Sequence, residues 1–271
     1  MSYKLTMTET TGISDMPFSD YNARAFYEVS AERNKQRALT AKPAGNFTCN
    51  GDKWQPEEYQ GFAVVSMLST NEGNEPLAAR LMEIQNELRY NLSPKCGFYM
   101  LPAESFHQTV ANTLSADRFK ANILNAGLEG AYPSMVHDAF ENIHVAENAA
   151  PIRMKMIGLS IFGTAIGILG VFEDADDYNR IVNFRAGFYG DDQLSQLDVK
   201  MTRPFIGHIT LAYVEQTLNK NQKDHLARVI NELNETLEYE ENYFYISNTG
   251  LRRYHHLAEF IKQPNYPVHQ L

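Results

Sequence analysis

The length and charge of the chain narrow the classes of protein that the sequence can encode. A chain of 271 residues with 44% hydrophobic and 21% charged residues suffices for one large domain or two fused lobes. The net charge of −9 argues against sequence-independent binding to long nucleic acid, which requires a broad basic surface. No apolar run is long enough to span a membrane, and none follows a basic leader. We therefore expect a cytoplasmic protein with no membrane partner.

The two cysteines agree with that expectation. Cys49 and Cys96 fit no zinc spacing, and two thiols in a chain of this length do not indicate a disulfide framework. The sequence thus favours reduced thiols in a reducing compartment.

The first sixty residues differ in pattern from the rest. A polar leader precedes one predicted helix over 19–39, which Ser19 can cap. Asn50-Gly51 predicts a tight hairpin turn, because both residues tolerate positive φ. We interpret residues 1–60 as an N-terminal extension, a helix and a hairpin, packed on a main domain over 61–271.

From Gly61 onward the predicted elements form two similar halves, with lobes over about 61–130 and 150–262. The first half reads as a β-α-β-β unit, with elements at 61–68, 75–90, 97–101 and 105–114. Two helices, near 117–126 and 132–145, connect the halves. The second half contains strands at 151–162, 165–173, 205–214, 241–248 and 252–261 and helices at 174–190 and 219–237. The fold class predicted is α+β, a bilobal, duplicated fold with two antiparallel-rich sheets around a central cleft.

One motif occurs in both halves. His107 and Thr109 lie in the strand SFHQTVANTL, and His208 and Thr210 lie in FIGHITLAYV at the same spacing. Because side chains alternate across a strand, each His and its Thr share one face. If the two strands are neighbours, two imidazoles and two hydroxyls converge. One imidazole can then accept a proton while the other donates one, and the hydroxyls can bind phosphoryl oxygens without a metal.

These paired motifs resemble the signature of the 2H phosphoesterase superfamily, which includes the LigT-like RNA cyclic phosphodiesterases. The motif stretches are Phe106–Val110 and Gly207–Leu211, and the resemblance covers about 61–262. It implies a bilobal αβ fold and metal-independent chemistry at 2′,5′-linked or 2′,3′-cyclic phosphodiesters of nucleotides or RNA ends. It also implies His208 as the base and His107 as the acid.

The chain departs from the family pattern in three ways, which indicate an outlying branch of bacterial type. Gly207 replaces an apolar residue before the second histidine, 101 positions separate the two histidines, and about sixty residues precede the first lobe.

Further side chains are candidates for substrate contact. Arg153 shares a strand face with Lys155 and can balance the charge of a phosphate, although such pairs are more often exposed. Tyr213 and Tyr254 can stack on a base, although most of the fifteen tyrosines must serve packing. His255 and His256 are adjacent in a predicted strand, so at most one of them reaches the cleft.

Two other function classes stay open. The cleft can bind a nucleotide or RNA end as a regulatory module without turnover. Alternatively, His137, Glu141 and His144 share one helical face and can ligate a metal, although such faces are usually solvated. The leading prediction is a phosphodiesterase with no cofactor and no metal, acting as a monomer on a small nucleotide or RNA terminus.

Overall fold

A computed structural model describes residues 13–51, 53–92, 97–144 and 149–271. The polar leader up to residue 12 and Cys96 therefore lie outside the described residues. The helices of the described residues are α1 (Phe18–Glu28), α2 (Ala31–Leu39), α3 (Glu75–Asn91), α4 (Ala116–Phe119), α5 (Tyr132–Glu141), α6 (Ala175–Tyr189), α7 (Asp192–Gln196) and α8 (Lys220–Leu237). The strands are β1 (Phe47–Asn50), β2 (Lys53–Pro56), β3 (Gly61–Met67), β4 (Phe98–Met100), β5 (His107–Ser115), β6 (Ile152–Ile161), β7 (Ala165–Phe172), β8 (His208–Val214), β9 (Tyr243–Ile246), β10 (Asn248–Tyr254) and β11 (Val268–Gln270).

The strands confirm the α+β class and show how the halves meet. Apart from the β1–β2 hairpin, the strands of the described residues form one nine-stranded sheet in the order β11-β10-β3-β5-β8-β7-β6-β9, with β4 on β8. All of its pairings are antiparallel. The two expected sheets are therefore two parts of a single sheet, which join where β5 and β8 meet.

The last part of the chain departs from the predicted lobes. Residues 252–261 were expected to form a strand of the second half, but β10 ends at Tyr254 and pairs with β3 of the first half. Only an isolated bridge between Arg253 and Ile261 continues the pairing. The first half thus obtains strands from both ends of the main domain, which a reading of consecutive elements cannot foresee.

The N-terminal segment is built into the core. The helix predicted over 19–39 is two helices, because Ser30 leaves the helical conformation and its hydroxyl caps α2 by accepting from the Arg33 amide. Ser19 does not cap α1, since it lies inside the first turn, after Pro17. Tyr21 of α1 is only 2% exposed and belongs to the main hydrophobic cluster. The predicted hairpin is confirmed, with Gly51 at φ +66°.

Two further observations concern the environment of the chain. None of the helices in the described ranges has the length and hydropathy needed to cross a membrane. Cys49 is disulfide-bonded, so the expectation of reduced thiols is not met at this residue.

Candidate functional site

The two His-x-Thr motifs lie on adjacent strands at the centre of the sheet. Gln108 of β5 is the antiparallel partner of Ile209 of β8. Gln108 is fully buried, and its side-chain oxygen accepts from the backbone amide of His208 while its amide donates to the Ile206 carbonyl. The residue between His107 and Thr109 therefore helps to join the two halves.

This register places four side chains on one face. On either side of the central pair, His107 comes opposite Thr210, and Thr109 comes opposite His208, so the two histidines are diagonal neighbours. Diagonal neighbours in an antiparallel pair have Cα atoms about 7–8 Å apart. All four residues are partly exposed, whereas Gln108 and Ile209 on the other face are buried. The expected convergence of two imidazoles and two hydroxyls is thus consistent with the register.

Both motif strands contain a bulge directly after the threonine. The register of β5 against β3 shifts between Thr109 and Ala111, and that of β8 against β7 shifts between Thr210 and Ala212. One extra residue enters each strand, and the burial pattern of the first six residues is the same in both. This repeated irregularity supports the internal duplication that the sequence suggests.

The imidazoles are held in the same way. His107 Nδ1 lies 2.7 Å from the Ser105 carbonyl oxygen, and His208 Nδ1 lies 2.8 Å from the Ile206 carbonyl oxygen. A carbonyl only accepts, so each Nδ1 carries the proton and each Nε2 keeps a lone pair in the neutral ring. Both Nε2 atoms are then available for proton transfer.

An apolar wall lowers the basicity of both rings. Burial lowers the pKa of His107 and that of His208 to about 4, against the opposing effect of the Nδ1 hydrogen bonds. The ring of Phe260 packs on His107 with centroids 4.1 Å apart, and the ring of Phe162 packs on His208 at 5.0 Å. The charges of Arg203 and of the other imidazole lower the pKa of His208 further. Both rings are therefore neutral at neutral pH in the ligand-free protein.

The packing around position 207 explains why a glycine precedes the second histidine. A Cβ at Gly207 would lie 2.5 Å from Met154 Sδ and 2.6 Å from the hydroxyl of Tyr21. That hydroxyl donates to the Gly170 carbonyl at 2.6 Å and accepts from the Gly207 amide at 3.0 Å. Tyr21 thus fixes the backbone that leads into His208, a role that the sequence analysis missed because Tyr21 lies 186 positions from Gly207.

A buried ion pair braces both motif strands. Arg185 Nε lies 2.8 Å from Asp15 Oδ2, and both side chains are less than a tenth exposed. The same guanidinium donates to the carbonyls of Val110, in the bulge of β5, and Arg203, before β8. Asp15 also accepts from the Phe205 amide. Neither residue was predicted, since no local pattern distinguishes a buried Arg from the many charged residues of surface helices.

The other candidates have different positions. Tyr213 lies on the face of Thr210, because the bulge shifts the alternation, and its phenol interacts electrostatically with those of Tyr59 and Tyr254. Burial raises the pKa of both candidate tyrosines.

Arg153 does not reach the site. Its guanidinium stacks on Tyr243 at 4.6 Å and lies 3.7 Å from Glu173, at the side of the sheet away from β5.

The alternative metal site is not assembled. Helix α5 ends at Glu141, so His144 lies beyond the helical face that the sequence predicted. Within the described ranges, no three His, Cys, Asp or Glu side chains are grouped to hold a metal ion. His255 and His256 follow the end of β10 and are not strand residues, so the alternation argument does not apply to them.

Comparison with known proteins gives similarity of fold alone. No family model and no curated protein matches the chain. A conserved protein of unknown function from Agrobacterium tumefaciens is 15% identical, with a TM-score of 0.56 over 87% of this chain and 95% of its own. A protein of Thermus thermophilus is also 15% identical, with a TM-score of 0.43 over 78% of this chain and 94% of its own. The first similarity shows a shared fold, and at this identity it carries no activity.

Proposed function

We propose that the protein is a metal-independent phosphodiesterase of the 2H type, which acts on 2′,3′-cyclic or 2′,5′-linked phosphodiesters of nucleotides or RNA ends. The observation that carries the proposal is the pair of diagonal imidazoles, each with Nδ1 bonded to a carbonyl and each beside a threonine of the opposite strand. The resemblance of the motifs points to the same chemistry.

In the proposed reaction, the phosphate lies between the two motifs. Water forms a bond to phosphorus while the bond to the 2′ or 3′ ribose oxygen breaks. By family resemblance, His208 Nε2 takes the proton of the water and His107 gives one to the departing oxygen. The hydroxyls of Thr109 and Thr210 donate to the non-bridging oxygens, where negative charge increases in the transition state.

The acid in this scheme must acquire its proton when substrate binds. Each imidazole has a pKa near 4 in the ligand-free protein, so few molecules carry a proton there at neutral pH. A phosphodiester between the rings brings a negative charge, which raises the pKa of both. The bound substrate thereby favours protonation of one ring, and the two rings then titrate as a coupled pair.

The low pKa values also leave few rings with the proton that a general acid must donate, which favours a second candidate, a nucleotide-binding or RNA-end-binding module without turnover. Such a module needs no matched acid and base, and the hydroxyls of Thr109 and Thr210 would be its donors to phosphate. It would bind 2′,3′-cyclic or 2′,5′-linked nucleotides and leave them intact.

The experiment is a screen of the purified protein with EDTA present throughout. Its substrates are 2′,3′-cyclic nucleotides, 2′,5′-linked dinucleotides and cyclic dinucleotides, and products are separated by chromatography. We expect one of the first two classes to be cleaved to a phosphomonoester. Binding of these compounds without cleavage would support the module, and cleavage that EDTA abolishes would show a metal-dependent reaction.

The cellular setting stays a prediction of the sequence. We expect a monomer that acts on small substrates in the cytoplasm. The disulfide at Cys49 argues against the cytoplasm, because disulfides persist mainly in oxidising compartments.

A further inference from the structure

Two arginines in the surroundings of His208 form no salt bridge in the described residues. Most arginines of the described residues contact an acidic side chain, among them Arg33, Arg37, Arg80, Arg118, Arg153, Arg180, Arg185 and Arg253. Arg24 and Arg203 contact none in that part of the chain. The guanidinium of Arg24 lies 3.7 Å from the sulfur of Met16, which is only a weak acceptor. Its donors are therefore available to a ligand.

Arg24 adjoins the surroundings of His208. It lines one small cavity together with Phe162, Leu169 and Ile206, and with Glu28, whose carboxylate pairs with Arg37 of the same cavity. Phe162 packs on the imidazole, Leu169 is the strand partner of His208, and the Ile206 carbonyl bonds to Nδ1. The cavity has a volume of about 30 Å³. Such a space holds a water molecule at most, so a larger group would bind at its mouth.

Arg203 approaches the same imidazole from the loop before β8. Its side chain is exposed, and its carbonyl accepts from Arg185 at 3.0 Å, which anchors this part of the loop. Its positive charge is near enough to lower the pKa of His208. In a chain with a net charge of −9, two guanidinium groups that form no salt bridge in the described residues, one of them within electrostatic range of His208, favour binding of an anion there.

We propose that Arg24 and Arg203 bind a second phosphate of the substrate on the His208 side of the site. The inference rests on the proposed phosphodiesterase function and narrows its substrate class. The favoured substrates are cyclic or 2′,5′-linked phosphodiesters that carry a further phosphate, such as a nucleoside 2′,3′-cyclic phosphate with a 5′-phosphate. The N-terminal segment, through Arg24 of α1, then takes part in substrate selection.

The kinetic test compares the 2′,3′-cyclic nucleotide with its 5′-phosphorylated form. A charge-assisted contact changes affinity by roughly 10- to 100-fold, so we expect kcat/KM of the wild-type protein to be higher by this factor for the phosphorylated form. Arg24→Gln and Arg203→Gln should each bring the ratio of the two kcat/KM values towards one. The matched control is Arg228→Gln on the exposed face of α8, whose arginine also lacks a carboxylate and bonds His225; it should keep the wild-type ratio.

The binding test does not depend on turnover. Calorimetry compares a nucleoside 3′-monophosphate with the 3′,5′-bisphosphate, using the wild-type protein and the same three variants, with thermal melts to confirm that each variant is folded. Tighter binding of the bisphosphate that Arg24→Gln and Arg203→Gln remove supports the inference, even if no substrate is cleaved. Equal binding of the two compounds by the wild-type protein, binding of neither compound, or an unchanged preference in both variants overturns it. Cleavage of the unphosphorylated cyclic nucleotide with no preference would overturn this inference and leave the phosphodiesterase intact.

Discussion

The two motif strands, β5 and β8, hold their histidines in the same way, but the residues that precede the two histidines pack differently. Each begins with a histidine whose Nδ1 bonds the carbonyl two residues earlier, and each has a bulge after the threonine. An aromatic ring covers each imidazole. Before His107 stands Phe106, buried in the core, whereas before His208 stands Gly207, with Tyr21 and Met154 in the space of a side chain.

This difference connects two features of the chain that look independent in the sequence. The glycine at 207 and the long N-terminal segment belong together, since Tyr21 of that segment occupies the volume that an apolar residue at 207 would need. Asp15 of the same segment binds Arg185, which bonds backbone carbonyls of both motif regions. The ion pair thus braces both motifs, whereas the contact with Tyr21 supports only the second.

The largest expected effect tests whether both motifs contribute to one reaction. His107→Ala or His208→Ala should each lower the rate of cyclic phosphate opening by on the order of 10²–10⁴-fold, as loss of a positioned proton-transfer group does. In the proposed mechanism the two rings act in the same step, so the double variant should be little slower than either single one. Thr109→Ala or Thr210→Ala should cost less, on the order of 10²-fold at most, since each removes one hydrogen bond to phosphate. Near-normal turnover in either single histidine variant would end the two-histidine mechanism.

The next effect concerns the buried ion pair that braces the two strands. Asp15→Ala leaves the guanidinium of Arg185 buried without a counter-charge, which should lower the free energy of unfolding by about 3–5 kcal/mol. Urea unfolding measures this value. The control is Lys200→Ala, whose partner Asp198 is exposed, and it should cost less than about 1 kcal/mol. Equal losses in the two variants would show that Asp15 is not a structural brace.

Local sequence patterns predict the two motifs but not the distant residues and strand pairings that hold them in place. The alternation along each strand predicts that His107 and Thr109 share a face, as the register and burial also indicate. Helices with strong caps, such as α6 after Asp174 and α8 after Asn219, were also predicted within about one residue. The bulges, the role of Tyr21 and the transfer of β10 to the first half depend on pairings between distant segments, for which a single sequence has no local signal.

A third prediction uses the low pKa of both imidazoles. An unfolded histidine has a pKa near 6.5, whereas those of His107 and His208 are about 4 in the folded protein. Between these values the unfolded chain binds more protons, so their contribution to stability is complete above pH 6.5 and is lost as the pH falls towards 4. Between pH 6.5 and 5 the loss should be on the order of 2 kcal/mol for each ring.

Urea unfolding at pH 7 and pH 5 measures this loss. The variant His107→Gln/His208→Gln should lose less stability between the two pH values than the wild-type protein does. His137→Gln, on the exposed side of α5, should behave as the wild-type protein. An unchanged pH dependence in the double variant would mean that other groups cause the loss.

The smallest expected effect tests the hydrogen bonds of Tyr21, which are made beside the second motif and not beside the first. Tyr21→Phe keeps the ring that excludes a side chain at 207 but leaves the Gly207 amide and the Gly170 carbonyl without their buried partner. Such a loss should lower the free energy of unfolding by about 1–3 kcal/mol.

The control is Tyr178→Phe, whose hydroxyl donates to the Met16 carbonyl and does not contact the second motif. Since only Tyr21 bonds the residue before His208, Tyr21→Phe should lower kcat and shift the pH profile of cyclic phosphate opening, and Tyr178→Phe should change neither. If both variants lose stability with identical pH profiles, the hydroxyl of Tyr21 stabilises the fold without positioning His208.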